Sequence, residues 1–224
     1  MKVLVLDTET QGLDPKKDKV LEVCAILYDL EHGKGIETYQ KVFYAEENPV
    51  EKINGLSSNF LITLKDRDQG IANLKELADE SECIIAHNAP FDRKMMAGTF
   101  GDDLGKPWIC SRKQINIPGA KGGRLGHIAY DLGLTFIAAH TAIADVQILC
   151  QILSTIPDIQ EQIKEAIDGG ELKKYFIQLE YNQVAMRETV KKKGFRWNPD
   201  MKVWEKEMNE KEVSKLDFKV QRMP

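Results

Sequence analysis

Four apolar residues, Val3 to Leu6, run straight into Asp7, Thr8, Glu9 and Thr10, which reads as a buried strand with a polar end. Gln11 to Pro15 and the polar Lys16 to Lys19 form a predicted turn. Val20 to Asp29 reads as a second strand, Glu31 to Gly35 as a hairpin loop, and Ile36 to Ala45 as a third strand. Three strands in succession predict an antiparallel meander. Ile53 to Ser57 is loop-like, whereas Ile71, Leu74 and Leu77 recur at helical spacing within Asp68 to Glu80. Cys83 to Ala86 is short and wholly apolar, as in a parallel strand buried on both faces. Asn88 stands where a helix cap is needed, and Pro90 falls in the first turn of the helix that follows, where its missing N–H is harmless. Trp108 to Cys110 is another short strand, Leu125 to Leu132 a helix, and Ala142 to Leu153 a strongly apolar helix ending near Pro157. Ile159 to Ile167 continues as helix. Strands first, then alternating helices and strands, is the order of an α/β fold with a mixed sheet.

Asp168, Gly169 and Gly170 form the best boundary in the chain, dividing it into domains 1–170 and 171–224. Beyond it, Tyr175 to Tyr181 reads as a strand and Gln183 to Lys193 as a helix stopped by Gly194. Phe195 to Trp204 reads as two strands around an Asn198-Pro199-Asp200 turn. The second domain is therefore expected to be a small β-α-β-β module.

A strand turns alternate side chains to opposite faces, so Asp7 and Glu9 point to the same side of the first strand's end. Two anions held together repel unless a proton or a cation sits between them, and oxygen-only ligands favour Mg²⁺ or Mn²⁺. Alone, such a pair most commonly marks a solvated strand edge. Two further stretches change the picture. Asp92 falls in the first turn of the helix after the buried strand, and Asp145 lies among Ala142, Ile143, Ala144, Val146 and Ile148, where an ionised carboxylate is costly without a cation or strong donors. His140, five residues before Asp145, is rotated about 140° from it on a helix, so the two do not share one face. Placed just before the helix, its imidazole hangs over the carboxylates with a pKa suited to taking a proton from water. His87 and His127 read as supporting or structural, and His32 as exposed in a polar loop.

At 224 residues, 42% hydrophobic and 29% charged, the chain has the material for a real core and is not disordered. Its net charge of −4 argues against a uniformly basic nucleic-acid binder. The charge is nevertheless split: residues 1–170 carry 18 Lys/Arg and 26 Asp/Glu, a net of −8, and residues 171–224 carry 13 and 9, a net of +4. An acidic body suits carboxylates that gather metal, and a basic appendage suits one that holds phosphates. Cys24, Cys83, Cys110 and Cys150 are dispersed among apolar neighbours with no CxxC pair, the pattern of buried reduced thiols, so a cytoplasmic location is expected. No signal-peptide core and no apolar run near 18 residues is present, so no membrane is expected.

Asp7-Thr8-Glu9, Asn88-Ala89-Pro90-Phe91-Asp92 and His140 with Asp145, in this order and at these separations, resemble the three motifs of the DEDDh (DnaQ-like) 3′→5′ exonuclease superfamily. That group includes the proofreading epsilon subunit of bacterial replicative polymerase and exodeoxyribonuclease X. The resemblance spans about residues 1–155. Gly12-Leu13, the Asn54-Gly55-Leu56-Ser57 loop, Trp108 to Arg112 and Gly123 to Gly126 agree as well. The loop that reads His-Gly in the family reads Asn54-Gly55 here. The resemblance implies a ribonuclease-H-like mixed sheet flanked by helices, and phosphodiester hydrolysis with two divalent ions, Mg²⁺ or Mn²⁺. By carry-over, Asp7 bridges both ions, Glu9 and Asp145 hold the first, Asp92 supports the second through water, and His140 is the general base. Thr8, Thr10, Leu13, Leu56 and Asn88 are carried over as substrate-binding residues, the two leucines against the terminal base. The implied partners are DNA 3′ ends and a DNA polymerase or repair complex, with 5′-mononucleotides as products. A 3′→5′ exoribonuclease of the same superfamily and a non-catalytic polymerase-accessory protein are the rival readings.

The basic module is similar to a small uncharacterised unit attached to DNA-processing enzymes, through Gly194, Arg196-Trp197-Asn198-Pro199, Lys202 and Trp204. Arg196, Trp197 and Trp204 suit stacking on bases, and Lys191 to Lys193 suit phosphates. Equally, the tryptophans suit the core of a 50-residue unit that needs large side chains to fold.

Overall fold

The computed structural model describes residues 1–135, 141–180 and 182–223. The chain divides into two compact units, Met1–Ile167 and Asp168–Pro224. The first opens with β1 (Lys2–Thr10), β2 (Val20–Asp29) and β3 (Lys34–Val42), followed by the short helices α1 (Glu51–Asn54) and α2 (Ser58–Ile62) and by α3 (Ala72–Asp79). Then come β4 (Ile84–Ala86), α4 (Ala89–Phe100), β5 (Trp108–Cys110), α5 (Ser111–Gln114), α6 (Leu125–Asp131), α7 (Ala142–Ser154) and α8 (Ile159–Gly169). The five strands form one mixed sheet in the order β3-β2-β1-β4-β5. β1, β2 and β3 are the antiparallel meander, and β4 runs parallel to both β1 and β5.

Both faces of the sheet are covered, which is why β1 and β2 are buried along nearly their whole length. On one face Val3, Val5, Cys24 and Ile26 pack against α7, which presents Ala142, Val146, Leu149, Cys150 and Leu153 at helical spacing. On the other face Leu4, Leu6, Val23, Ala25 and Leu27 pack against Leu74, Leu77 and Ala78 of α3 and Met95 and Met96 of α4. Each fully buried aliphatic side chain contributes about 1.5–3 kcal/mol, so α7 is anchored on the sheet well beyond its own propensity. Its second flank, Ile148 and Ile152, packs on Ile128 and Ala129 of α6. Among the described residues no single helix is long and apolar enough to cross a membrane, and α7 and α8 are bent by 109° at their junction. All four cysteines are buried and unpaired, and burial pushes the Cys24, Cys83 and Cys150 thiols up to about 12.

Several elements differ from the sequence expectation for identifiable reasons. β3 starts at Lys34, because Gly33 turns with a positive φ of 62° and the chain pairs at once. It ends at Val42, after which the Tyr44 N–H is taken by the Gln69 side chain. α3 begins at Ala72 and not Asp68, because the Asp68 carboxylate accepts the Gly70 N–H at 2.8 Å and binds Lys41, making a turn of the expected first coil. The expected loop at Ile53 includes the last half of the single-turn helix α1. Asn88 does occupy the N-cap position of α4, but at φ 89° and without a side-chain capping bond.

The second unit contains β6 (Lys173–Ile177), α9 (Val184–Lys192), β7 (Arg196–Asn198), β8 (Val203–Met208), α10 (Glu210–Ser214) and β9 (Gln221–Arg222). These strands form a sheet of order β7-β8-β6-β9, so the expected β-α-β-β is extended by one helix and one strand. Tyr175, Val190, Phe195 and Met208 are its buried centre. α10 is nucleated by a capping box: the Asn209 side chain accepts the Glu212 N–H, and the Glu212 side chain accepts the Asn209 N–H.

Candidate metal centre

The alternation of β1 decides where its polar end points. Asp7 and Glu9 continue the face of Val3 and Val5, towards α7, and Thr8 and Thr10 continue the face of Leu4 and Leu6. Asp145 stands in the first turn of α7, on the stripe that covers β1. A carboxylate oxygen from each of Asp7, Glu9 and Asp145 lies within 4.8 Å of the other two, and all three residues are half-buried. Asp92 arrives from the other face, in the first turn of α4, and is only 3% exposed. The Thr8 hydroxyl, on that same face, donates to its Oδ1 at 2.8 Å and ties Asp92 to the strand end.

This grouping is electrostatically strained. Burial raises the Asp7 carboxyl well above its usual range, and Asp92, Asp145, Glu9 and Glu22 raise it further. Glu9 is pushed up to about 7 by burial first, then by Asp145, Glu22 and Asp92. Asp92 is pushed up to about 7 by burial, against the lowering effect of the Thr8 hydrogen bond. Burial and mutual repulsion thus disfavour the charged forms of Asp7, Glu9 and Asp92. An all-oxygen donor set of three close carboxylates fits a hard divalent cation, whose charge would offset that repulsion. A second group, Asp29, Glu31 and His32, is mostly exposed at the β2–β3 turn, where His32 Nδ1 lies 2.6 Å from Asp29 Oδ2.

The sequence reading missed Glu22. It is 5% exposed, directly opposite Glu9 in the β1–β2 register, and its Oε1 accepts from Gln40 Nε2 at 2.7 Å. Its signal was an acid inside the apolar run Val20 to Leu27, the same anomaly that singled out Asp145. Of the carried-over substrate residues, Thr10 is buried and its hydroxyl donates to the Gly12 carbonyl at 2.7 Å. Leu13 is 83% exposed, and Leu56 packs on Leu21, Ala45, Leu61 and Leu64. Asn54, in the place of the family's loop histidine, is buried: its Oδ1 accepts from Asn48 Nδ2 at 2.8 Å and from the Leu56 N–H at 3.1 Å, and its Nδ2 donates to the Thr10 carbonyl at 3.4 Å. The loop is therefore tied to the end of β1. His87 is held between Ser111 Oγ and the Gly123 carbonyl, and burial lowers its pKa. His140, the expected base, lies outside the described residues.

A mixed sheet sandwiched by helices thus gathers acids at the end of its central strand. The sequence profile of the exonuclease family RNase_T matches residues 4–153, and the chain belongs to that family. Residues 178–223 match a domain of unknown function. DNA polymerase III subunit epsilon of Treponema pallidum is 27% identical over 164 residues, covering 67% of this chain and 74% of that protein. DNA polymerase III PolC-type of Thermotoga maritima is 24% identical over 191 residues, 77% of this chain, and the match spans only 14% of that protein. Among solved structures, Exonuclease X in complex with 5′ overhanging duplex DNA superposes with a TM-score of 0.55 at 21% identity, over 73% of this chain and 98% of that one.

Proposed function

We propose that residues 1–170 form a 3′→5′ exodeoxyribonuclease dependent on two divalent ions, Mg²⁺ or Mn²⁺, which trims DNA ends in repair or proofreading. The observation that carries this reading is the convergence of Asp7, Glu9 and Asp145 within 4.8 Å, with Asp92 hydrogen-bonded to the same strand end. Asp7, Glu9 and Asp145 would hold the ions directly, with Asp7 common to both, and Asp92 would support the second. When bound, the ions supply positive charge for the attacking and leaving oxygens of the phosphodiester. His140 takes the proton of the attacking water. As the new P–O bond forms, the bond to the 3′ oxygen of the preceding nucleotide breaks, releasing a 5′-mononucleotide. Leu13, exposed beyond the strand end, offers an apolar surface to the terminal base. A DNA polymerase or repair assembly is the proposed partner, in keeping with the epsilon-subunit relative.

The test compares end-labelled single-stranded DNA, duplex DNA and RNA under Mg²⁺, with chelator as control. Loss of 3′ label before 5′ label, stepwise mononucleotide release and abolition by Asp7→Ala are expected. Activity persisting in excess chelator or in Asp7→Ala overturns the metal mechanism, and preference for RNA overturns the DNA assignment.

A further inference from the structure

The second unit places its tryptophans unequally. Trp197 on β7 and Trp204 on β8 are direct cross-strand partners, their rings 5.6 Å apart and tilted by 56°. Trp204 packs against the buried centre of the unit, as a core residue does. Trp197 does not: it lies on the edge strand and is 47% exposed. Between this pair and α9 lies a mainly apolar cleft of about 260 Å³, lined by Leu179, Arg187, Trp197 and Trp204. Closed sites for drug-sized ligands are about 300–1,000 Å³, so this opening suits one flat group.

The rim is cationic. Arg187 is steadied by donation from Nη2 to the Glu180 carbonyl at 3.0 Å. Lys191 Nζ stands 5.7 Å from the centre of the Trp204 ring, and Glu188 fixes it there at 2.8 Å. Both cations come from α9, one turn apart: Arg187 lines the cleft, and Lys191 stands over the ring of Trp204, which lines it too. An apolar, aromatic floor beneath two positive side chains asks for a planar ring attached to an anion, and residues 171–224 carry a net charge of +4. A hydrophobic peptide would satisfy the floor and leave the rim unmatched, and a bare phosphate would do the reverse.

We infer that this cleft binds single-stranded nucleic acid, with a base stacked on Trp197 and its neighbouring phosphates held by Arg187 and Lys191. The choice of ligand class rests on the nucleic-acid reading above. Edge-strand exposure gives Trp197 a free face, and stacking without base-edge contacts makes the site indifferent to sequence.

The experiment uses the full chain in chelator, so that no strand is cut, and follows the anisotropy of a labelled 20-nucleotide thymidine oligomer. Trp197→Ala is expected to bind about 5- to 150-fold more weakly, the span for losing one stacked base, with Trp197→Phe near wild type. On an abasic strand of equal length the two variants should converge. Lys191→Gln should flatten the salt dependence by about 0.7 in logarithmic slope for one lost phosphate contact. Because Trp197 is half exposed, unchanged thermal melting separates lost stacking from lost folding. Equal binding by wild type and Trp197→Ala, the same loss on the abasic strand, or no binding by wild type overturns the inference. Wild-type hydrolysis of a dinucleotide under Mg²⁺ tests the exonuclease reading separately, since too short a substrate cannot report on both sites.

Discussion

Replacing Asp145 by Asn removes one negative charge from the metal-free cluster while nearly preserving shape. At 4.8 Å and an effective dielectric near 20, one carboxylate pair repels by about 3 kcal/mol, and solvent at these half-buried groups reduces the net gain to about 1–3 kcal/mol. The sign with pH follows from Glu9, whose carboxyl moves from 4.5 to about 7 on folding. Below pH 4.5 both folded and unfolded forms hold the proton and the stabilisation is complete. As pH rises towards 7 the unfolded chain releases it first, so stability falls, by about 3 kcal/mol at most for a shift of this size. The assay is thermal melting in chelator from pH 5 to 8. Wild type should lose melting temperature across this window, and Asp145→Asn should lose less and exceed wild type at pH 8 by roughly 2–10 °C. Adding Mn²⁺ at pH 8 should raise wild type more than the variant, because only the folded cluster binds the ion. Parallel pH profiles, or a variant less stable than wild type at pH 8, would show that Asp145 is a structural acceptor and refute the argument from repulsion.

Thr8→Val removes the hydroxyl that lowers the Asp92 pKa, so the rising limb of the pH–rate profile should move to higher pH, while an unchanged profile would detach Thr8 from the site. Asn54→Ala leaves its buried partners unsatisfied and should cost about 1–3 kcal/mol in urea unfolding; a cost below 0.5 kcal/mol would mean that water replaces the amide. Gly98→Ala in α4 would drive a methyl group into the Pro15 carbonyl and should destabilise by about 1–3 kcal/mol, with a neutral effect showing that the turn yields. His140→Ala should lower the hydrolytic rate about 10²–10⁴-fold with little effect on DNA binding in chelator, and equal losses in both would make it a positioning residue.

Burial on both sides made the central elements readable. β2 and β5 coincide with their expected limits, because a run of apolar residues bounded by polar ones has one interpretation in a covered sheet. β3 is an edge strand with mostly exposed residues, so its sequence carries little alternation and its ends were displaced. α1 is a single turn and β9 a residue pair, and elements so short depend on tertiary partners more than on local pattern. Asp7, Glu9 and Asp145 were brought together by strand alternation plus one apolar helix. Glu22 carried the signal of an acid in an apolar run, but its proximity to the cluster follows only from the register opposite Glu9. The sequence offered Trp197 and Trp204 alike for base stacking or for the core, and only the structure separates them, with Trp197 exposed on an edge strand and Trp204 against the buried centre.

The two-residue alternation of β1 also limits how the gene encoding it can change. Deleting or inserting one residue between Val3 and Leu6, with the hydrophobic pairing retained, would exchange the faces of everything beyond it. Thr8 and Thr10 would then turn towards α7 and Asp145, and Asp7 and Glu9 towards α4. Point substitutions in this strand change one side chain each, but a single-codon length change removes both β1 carboxylates from the cluster at once. The exposed β2–β3 turn, by contrast, sets no such phase for the site. Length variation among functional homologues should therefore accumulate there and stop at β1.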